Sequence, residues 1–221
     1  MGGSARDQLD GHVRLLLAWN EAINLTAIRD PVGIAVRHVV DSLSGVALLR
    51  ERGIDAFVDL GSGGGYPGLP LAAVLPARRA MLVESIAKKA RFLAVAAAAV
   101  GLAARITVRP GRAEDAAGDP AEREHWPAVT ARAVADLGEL VELAFPLLAV
   151  DGCLVAWKRD PAPSELAAGQ RAAAALGGGR LEIRDVGARG LEAHRLVVVT
   201  KVGPTPDGFP RPPRARRRRP W

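Results

Sequence analysis

This 221-residue chain holds one cysteine, two methionines and one tyrosine, and aromatic residues make up only 4% of it. A single thiol, Cys153, excludes an internal disulfide and fits a reducing compartment, so a cytoplasmic location is expected. Cys153 also opens an expected core strand, where a thiol packs as a small hydrophobe, so no cysteine nucleophile is expected. So few aromatics argue against a broad base-stacking platform for single-stranded nucleic acid. No apolar stretch reads as a bilayer span. The longest, around Phe92 to Leu102, is mostly alanine and follows Lys88, Lys89 and Arg91. Met1 to Asp10 is polar and shows no signal-peptide pattern. Neither a membrane nor a metal is expected, and the chain is read as a monomer.

Acidic residues are missing altogether from the last eleven positions. Six arginines stand there instead: Arg211, Arg214, Arg216, Arg217, Arg218 and Arg219. They account for the whole net charge of +6, since the remaining basic and acidic residues balance at 24 each. Residues 204–221, rich in proline and arginine, are expected to be a disordered basic tail. Such a tail either adds salt-sensitive affinity for nucleic acid or is simply a solvated terminus.

What is present is a regular alternation. Leu9, Val13, Leu16 and Leu17 recur at helical spacing and predict an amphipathic helix over 9–22. Asp30-Pro31 predicts a helix start, with Asp as N-cap and Pro in the first turn, running to about Leu49. Residues 1–50 thus form a helical N-terminal prefix. Strands are then expected at 57–60, 80–84, 105–109, 128–133 and 152–158, with helices at 68–75, 86–100, 114–117, 137–148 and 163–175 between and after them. Strands at 180–187 and 194–202 have no helix between them and form an antiparallel pair. The fold class is α/β: a Rossmann-like, mostly parallel sheet with an antiparallel last strand over 51–203, the arrangement of class I methyltransferases.

The loop after the first strand concentrates the chemistry. Phe57-Val58-Asp59-Leu60 leads into Gly61-Ser62-Gly63-Gly64-Gly65-Tyr66-Pro67-Gly68. Without Cβ atoms, such a loop lets backbone approach a nucleotide-like cofactor closely. Two registers compete. Gly61 to Gly65 gives G-x-G-x-G; Gly63 to Gly68 gives the dinucleotide pattern G-x-G-x-x-G. Pro67 disfavours helix at Tyr66 and delays the helix start, which favours the first register. Asp59 suits a ligand carrying ammonium and sulfonium better than a pyrophosphate. Glu84, at the end of the next strand, is placed to accept from ribose hydroxyls. Ala113 and Glu114, after the third strand, lie where an adenine edge would sit, with Asp115 as an alternative N-cap for a short helix. An NAD-linked oxidoreductase remains the alternative, without a visible hydride-transfer constellation; a non-catalytic nucleic-acid binder is a third reading.

Several segments together resemble one family. Asn24-Leu25-Thr26-Ala27-Ile28-Arg29-Asp30-Pro31 and Arg37-His38-Val39-Val40-Asp41-Ser42-Leu43 are similar to the N-terminal signature of the RsmG (GidB) family of bacterial 16S rRNA guanine-N7 methyltransferases. The similarity continues through Val58 to Gly68, Glu84 to Leu93, Gly111 to Asp115, Ala131 to Ala133 and Trp157-Lys158, about residues 9–202. It implies S-adenosyl-L-methionine as cofactor at Gly61, Gly63, Tyr66, Glu84, Ala113, Glu114 and Arg132. It implies 7-methylguanosine near the decoding site of 16S rRNA as product, with 16S rRNA or the small ribosomal subunit as partner. Loss of activity in this family is associated with streptomycin resistance. The order His194-Arg195 is shifted against the family's pattern, so neither residue is assigned.

Guanine N7 is an unprotonated lone pair at neutral pH, so its methylation requires alignment rather than a general base, and no catalytic base is expected. Arg29, Arg37, His38 and Lys158 are the candidate substrate contacts, set against readings as a structural histidine and solvated charges. The scarcity of aromatics favours a structured RNA recognised by shape and phosphates.

Overall fold

The computed structural model describes residues 4–221; Met1 to Gly3, at the start of the expected prefix, lie outside the described residues. Helix α1 (Ala5–Ile23) opens with Ser4 as N-cap in a capping box with Asp7. Asp30 caps the next helical passage by accepting from Gly33 N–H, with Pro31 in the first turn. That passage is not the single helix expected to Leu49. It is α2 (Pro31–Ile34), a π-helical turn (Ala35–Val40), α3 (Asp41–Leu43) and α4 (Val46–Glu51). The break at Gly45 has a physical cause. The Trp157 indole fills the gap, so a Cβ on Gly45 would lie 2.5 Å from its ring, and Trp157 Nε1 donates to the Asp41 carbonyl at 2.7 Å. By length and composition residues 31–51 could cross a membrane. In the fold, Ile34, Val46, Leu48 and Leu49 are buried in the core and Asp41, mid-passage, is ion-paired.

The remaining elements follow the expected alternation: β1 (Ala56–Leu60), α5 (Gly68–Val74), β2 (Arg79–Glu84), α6 (Ala87–Ala99), β3 (Ile106–Pro110), α7 (Ala113–Ala117), β4 (Trp126–Arg132), α8 (Leu137–Ala144), β5 (Leu148–Arg159), α9 (Pro163–Ala175), β6 (Gly178–Asp185), β7 (His194–Lys201) and α10 (Pro213–Arg218). The seven strands are ordered β3-β2-β1-β4-β5-β7-β6. The first five are parallel; β7 runs antiparallel to both β5 and β6. The order reverses between β1 and β4, so the crevice beyond their carboxyl ends is the topological switch point where α/β sheets bind ligands.

Side chains alternate across the sheet. Phe57, Ala80, Leu82 and Ala128 join one core with Leu16 of α1 and Phe92 of α6. Val58, Leu60, Met81 and Val129 join the other, with α8 and α9. The prefix therefore shares a face with α5 and α6.

The expected disordered tail is corrected by the structure. Residues 204–221 fold back as an arm over α8, seven of whose eight residues are buried. The reason is Glu142, whose side chain is 0% exposed. Arg211 embraces it, with Nε at 2.9 and 3.1 Å, Nη2 at 2.6 Å and the backbone N–H at 2.7 Å. Trp221 Nε1 donates to the same carboxylate at 2.6 Å, and the Arg211 guanidinium lies 4.7 Å from the Trp221 ring. Low hydrophobicity does not free a segment whose donors satisfy a buried carboxylate under it.

Burial alone raises the Glu142 carboxyl; the hydrogen bonds from Arg211 and Trp221 outweigh it and hold the group below the usual carboxylate range. Arg211→Ala leaves that charge buried and unpaired, and is expected to cost about 3 kcal/mol at pH 7 in denaturant unfolding. Because the folded-state pKa is lowered, the contribution is full at neutral pH and is lost as pH falls through that pKa, so the difference between parent and variant narrows in acid. Equal stability at pH 7 would remove the arm's structural role.

Candidate active site

Three buried side chains from three elements hold the glycine loop between β1 and α5. Alternation along β1 puts position 59 on the face of Phe57, yet the residue is a carboxylate. Asp59 is 0% exposed and accepts from Gly68 N–H at 3.2 Å and from the Thr130 hydroxyl, its register neighbour on β4, at 2.8 Å. Burial raises it to about 6, against the hydrogen bonds from Thr130 and Gly68. The carboxyl, expected at the cofactor, thus lies under the loop and holds its backbone. At Gly68 a Cβ would come 2.8 Å from Asp59 and closer to Leu82, so only glycine lets α5 start this near the strand.

Glu84, at the end of β2, accepts from Gly63 N–H and Ile86 N–H, each at 2.8 Å. A carboxylate oxygen has two lone pairs, so each retains acceptor capacity. From α1, His12 Nε2 donates to the Gly64 carbonyl at 2.8 Å. Burial pulls His12 down to about 4 and keeps the ring neutral. Gly63 has φ +54°, and a Cβ there would meet nothing nearer than the Gly61 carbonyl at 3.8 Å, so open space lies beside it.

A first crevice of about 240 Å³ brings Gly61, Ala113 and Glu114 together with Ser85, Gly111 and Val134. Gly63 and Glu84 are tied to each other at the same loop. Tyr66 does not line it. It is buried between His12 and His38, with ring centroids at 4.6 and 4.7 Å, and its hydroxyl has no partner among the described residues. The ring braces the loop, and burial pushes its phenol up.

A second crevice, of about 430 Å³, is lined by Arg37, His38, Asp41, Arg132, Trp157 and His194, among others. Asp41, 2% exposed, organises it. One carboxylate oxygen accepts from Arg132 at 3.1 Å and the other from His194 Nδ1 at 2.9 Å. Arg132 also donates to the Arg37 carbonyl at 2.9 Å and to His38 Nδ1 at 3.0 Å. His38 Nδ1 lies between that guanidinium, which can only donate, and the Arg37 carbonyl at 3.1 Å, which can only accept, while Nε2 pairs with the Thr26 hydroxyl at 2.7 Å. Burial and the adjacent Arg132 pull His38 down to about 4.

Arg132, expected at the cofactor, thus lines the second crevice and not the first. Lys158 also lines the second, but its ammonium is committed to the Ala135 carbonyl at 2.7 Å and to Glu165 at 2.6 Å. Arg29 lines neither; it is exposed in a shallow groove with Leu17, Asn20 and Glu21. The residues not assigned from sequence are His12, Asp41, Thr130 and His194. Asp41 carried a usable signal, an acid in the middle of an apolar helical passage. The other three acquire meaning only through partners far away in the chain.

The raised Asp59 pKa has a measurable consequence. Between about pH 4 and 6 the folded protein holds a proton that the unfolded chain releases, so Asp59 makes stability fall as pH rises through that window. A shift from about 4 to 6 corresponds to about 3 kcal/mol. Asp59→Asn is expected to flatten the dependence, read by urea unfolding at pH 4.5 and 7; an unchanged slope would mean that Asp59 ionises normally.

The geometry agrees with what known proteins resemble this chain. The family model for rRNA small subunit methyltransferase G matches residues 5–194. A protein of Roseiflexus sp. (strain RS-1) named ribosomal RNA small subunit methyltransferase G is 43% identical over 196 residues, spanning 89% of this chain and 83% of the relative. One of the same name from Chloroflexus aggregans is 42% identical over 205 residues, spanning 92% and 85%. Among solved structures, an O-methyltransferase from Bacillus cereus in complex with SAH superposes with a TM-score of 0.61 at 19% identity, covering 90% of this chain and 98% of that one. A 16S rRNA N2 methyltransferase of T. thermophilus, in complex with AdoMet and guanosine, gives 0.50 at 18% identity, covering 69% and 36%. These two share the fold. With the family model spanning most of the chain and such relatives beside it, the chain belongs to the rRNA small subunit methyltransferase G family.

Proposed function

We propose that the protein methylates N7 of a guanine near the decoding site of 16S rRNA, using S-adenosylmethionine, on the RNA or the small ribosomal subunit. The observation that carries this reading is the meeting of two crevices on either side of residues 132–135. Arg132 and Ala133 line one, Val134 and Ala135 the other. Ala133 at the junction has φ +56°, a conformation that a non-glycine residue holds only when its surroundings impose it.

The first crevice fits the cofactor. Open space beside Gly63 admits a ligand against bare backbone, the Glu84 oxygens keep lone pairs for ribose hydroxyls, and Ala113 and Glu114 line the adenine end. When bound, S-adenosylmethionine supplies an electrophilic methyl group on a sulfonium. The second crevice takes the guanosine, with Arg37, His38, Arg132 and Lys158 as its contacts and Arg29 as an outlying contact to the RNA. Asp59 and Tyr66 support the cradle from below.

Guanine N7 has no proton to lose, so its methylation needs no base. His38 is neutral with both ring nitrogens engaged, so it positions rather than titrates. Methylation leaves a positive charge on the purine. Arg132 is matched by Asp41 and Lys158 by Glu165, which lowers the repulsion that this charge meets from those two cations. Family membership supports a cytoplasmic enzyme, and we take it to act as a monomer.

Incubation with methyl-labelled S-adenosylmethionine and small subunits lacking the mark is expected to yield 7-methylguanosine at one position. Label on another atom, or none, would overturn the proposal. Two variants separate the crevices. Gly63→Val should fold, since its side chain enters open space at a backbone strain of about 1–2 kcal/mol, yet bind cofactor at least about tenfold more weakly. Arg132→Ala should keep cofactor affinity and lower kcat by about tenfold or more. The opposite pattern would exchange the two assignments.

A further inference from the structure

The arm's six arginines divide into two groups. Arg211 and Arg216 turn inward: Arg211 to Glu142, and Arg216, 6% exposed, to Glu114 and Glu139. Arg214, Arg217, Arg218 and Arg219 are exposed, and among the described residues none of them is in an ion pair. Anchoring two cations thus fixes the direction in which the other four point. On the outer side, Arg214, Arg218 and Arg219 border a groove of about 570 Å³ with Pro212 and Ala215. Residues 214 and 218 are one helical turn apart and share a face of α10.

The location gives this surface a role. Arg216 lines the first crevice beside Glu114, and Arg217 and Trp221 line an adjoining depression with Glu165, the partner of Lys158 in the second crevice. The arm therefore lies alongside the carboxyl edge of the sheet, where an RNA acceptor must approach. It also lies outside residues 5–194, the span of the family model.

We propose that the C-terminal arm is a docking surface for the RNA backbone, with Arg214, Arg217, Arg218 and Arg219 contacting phosphates that flank the target guanine. The proposal rests on the rRNA reading above and adds a binding surface to it. Guanidinium groups suit phosphates through paired N–H donors, and pre-ordering by Arg211 and Arg216 spares the arm the ordering cost that a disordered tail meets on binding. An anionic membrane is the less suitable partner. Interfacial helices present large apolar side chains on their free face. α10 has only proline and alanine besides arginine, and Phe209 and Trp221 pack inward against the core.

The test replaces the four exposed arginines with Gln, and separately with Lys, leaving Arg211 and Arg216 intact. Affinity for unmarked 16S rRNA is measured from about 50 to 200 mM salt, alongside affinity for S-adenosylhomocysteine, melting temperature and binding to phosphatidylglycerol vesicles. The glutamine variant is expected to keep its melting temperature and cofactor affinity, while the slope of log affinity against log salt falls by about 3, as loss of four phosphate contacts requires. The lysine variant should retain most of the slope, since charge carries the effect. Equal slopes for parent and glutamine variant overturn the proposal, as does loss of vesicle binding with rRNA binding unchanged. Should the glutamine variant fail to fold, Arg218→Gln with Arg219→Gln should lower the slope by about half as much. If the parent transfers methyl to rRNA but the slope does not change, only the docking surface fails. If the slope changes but no label reaches guanine N7, the catalytic reading fails instead.

Discussion

A carboxylate without access to water lies at the centre of this structure. Asp59 interrupts the apolar face of β1 and links the first strand to β4 through Thr130 and to the start of α5 through the Gly68 N–H. The free energy of burying it is offset only if those donors stay in place, which fixes the loop between them. Glu84 then restrains Gly63 from the side of β2, and His12 restrains Gly64 from α1. The loop is a flexible sequence held rigid by three polar groups from three different elements. A pre-formed backbone cradle of this kind can offer its surface to a ligand without first losing conformational entropy.

The same logic recurs at the neighbouring crevice with Asp41 in the central role. Its carboxylate joins Arg132 of β4 to His194 of β7, and its backbone carbonyl takes the Trp157 indole of β5. The helical prefix is thereby secured to the carboxyl ends of β4 and β5 and to the amino end of the antiparallel β7. The π-helical turn that carries Arg37 and His38 sits within this network, a setting in which departures from regular helix commonly serve a site. Both crevices thus depend on polar joints between the prefix and the sheet, and the prefix is part of the site rather than an appendage to it.

Most of the α/β frame was legible in the sequence because it rests on local patterns. β-branched and apolar clusters separated by helix-spaced segments placed all seven strands, and Asp30-Pro31 placed a helix start at the residue observed. The glycine loop, Glu84, Ala113 and Glu114 were legible from their places at strand ends. Two expectations failed for one shared reason. The helix expected from Pro31 to Leu49 is opened by Trp157, more than a hundred residues away. The arm, disordered by composition, is ordered by Glu142.

Periodicity, turn residues and the order of strand and helix are properties of near neighbours, and they determined the fold class, the position of the cofactor loop and the family. Which cations stay free was settled by folding alone. Arg132, Lys158, Arg211 and Arg216 each found a carboxylate from another element, whereas Arg214, Arg217, Arg218 and Arg219 found none among the described residues. A charge pairs with whatever opposite charge the fold brings within a few ångströms, and that distance is not written in the spacing of residues along the chain.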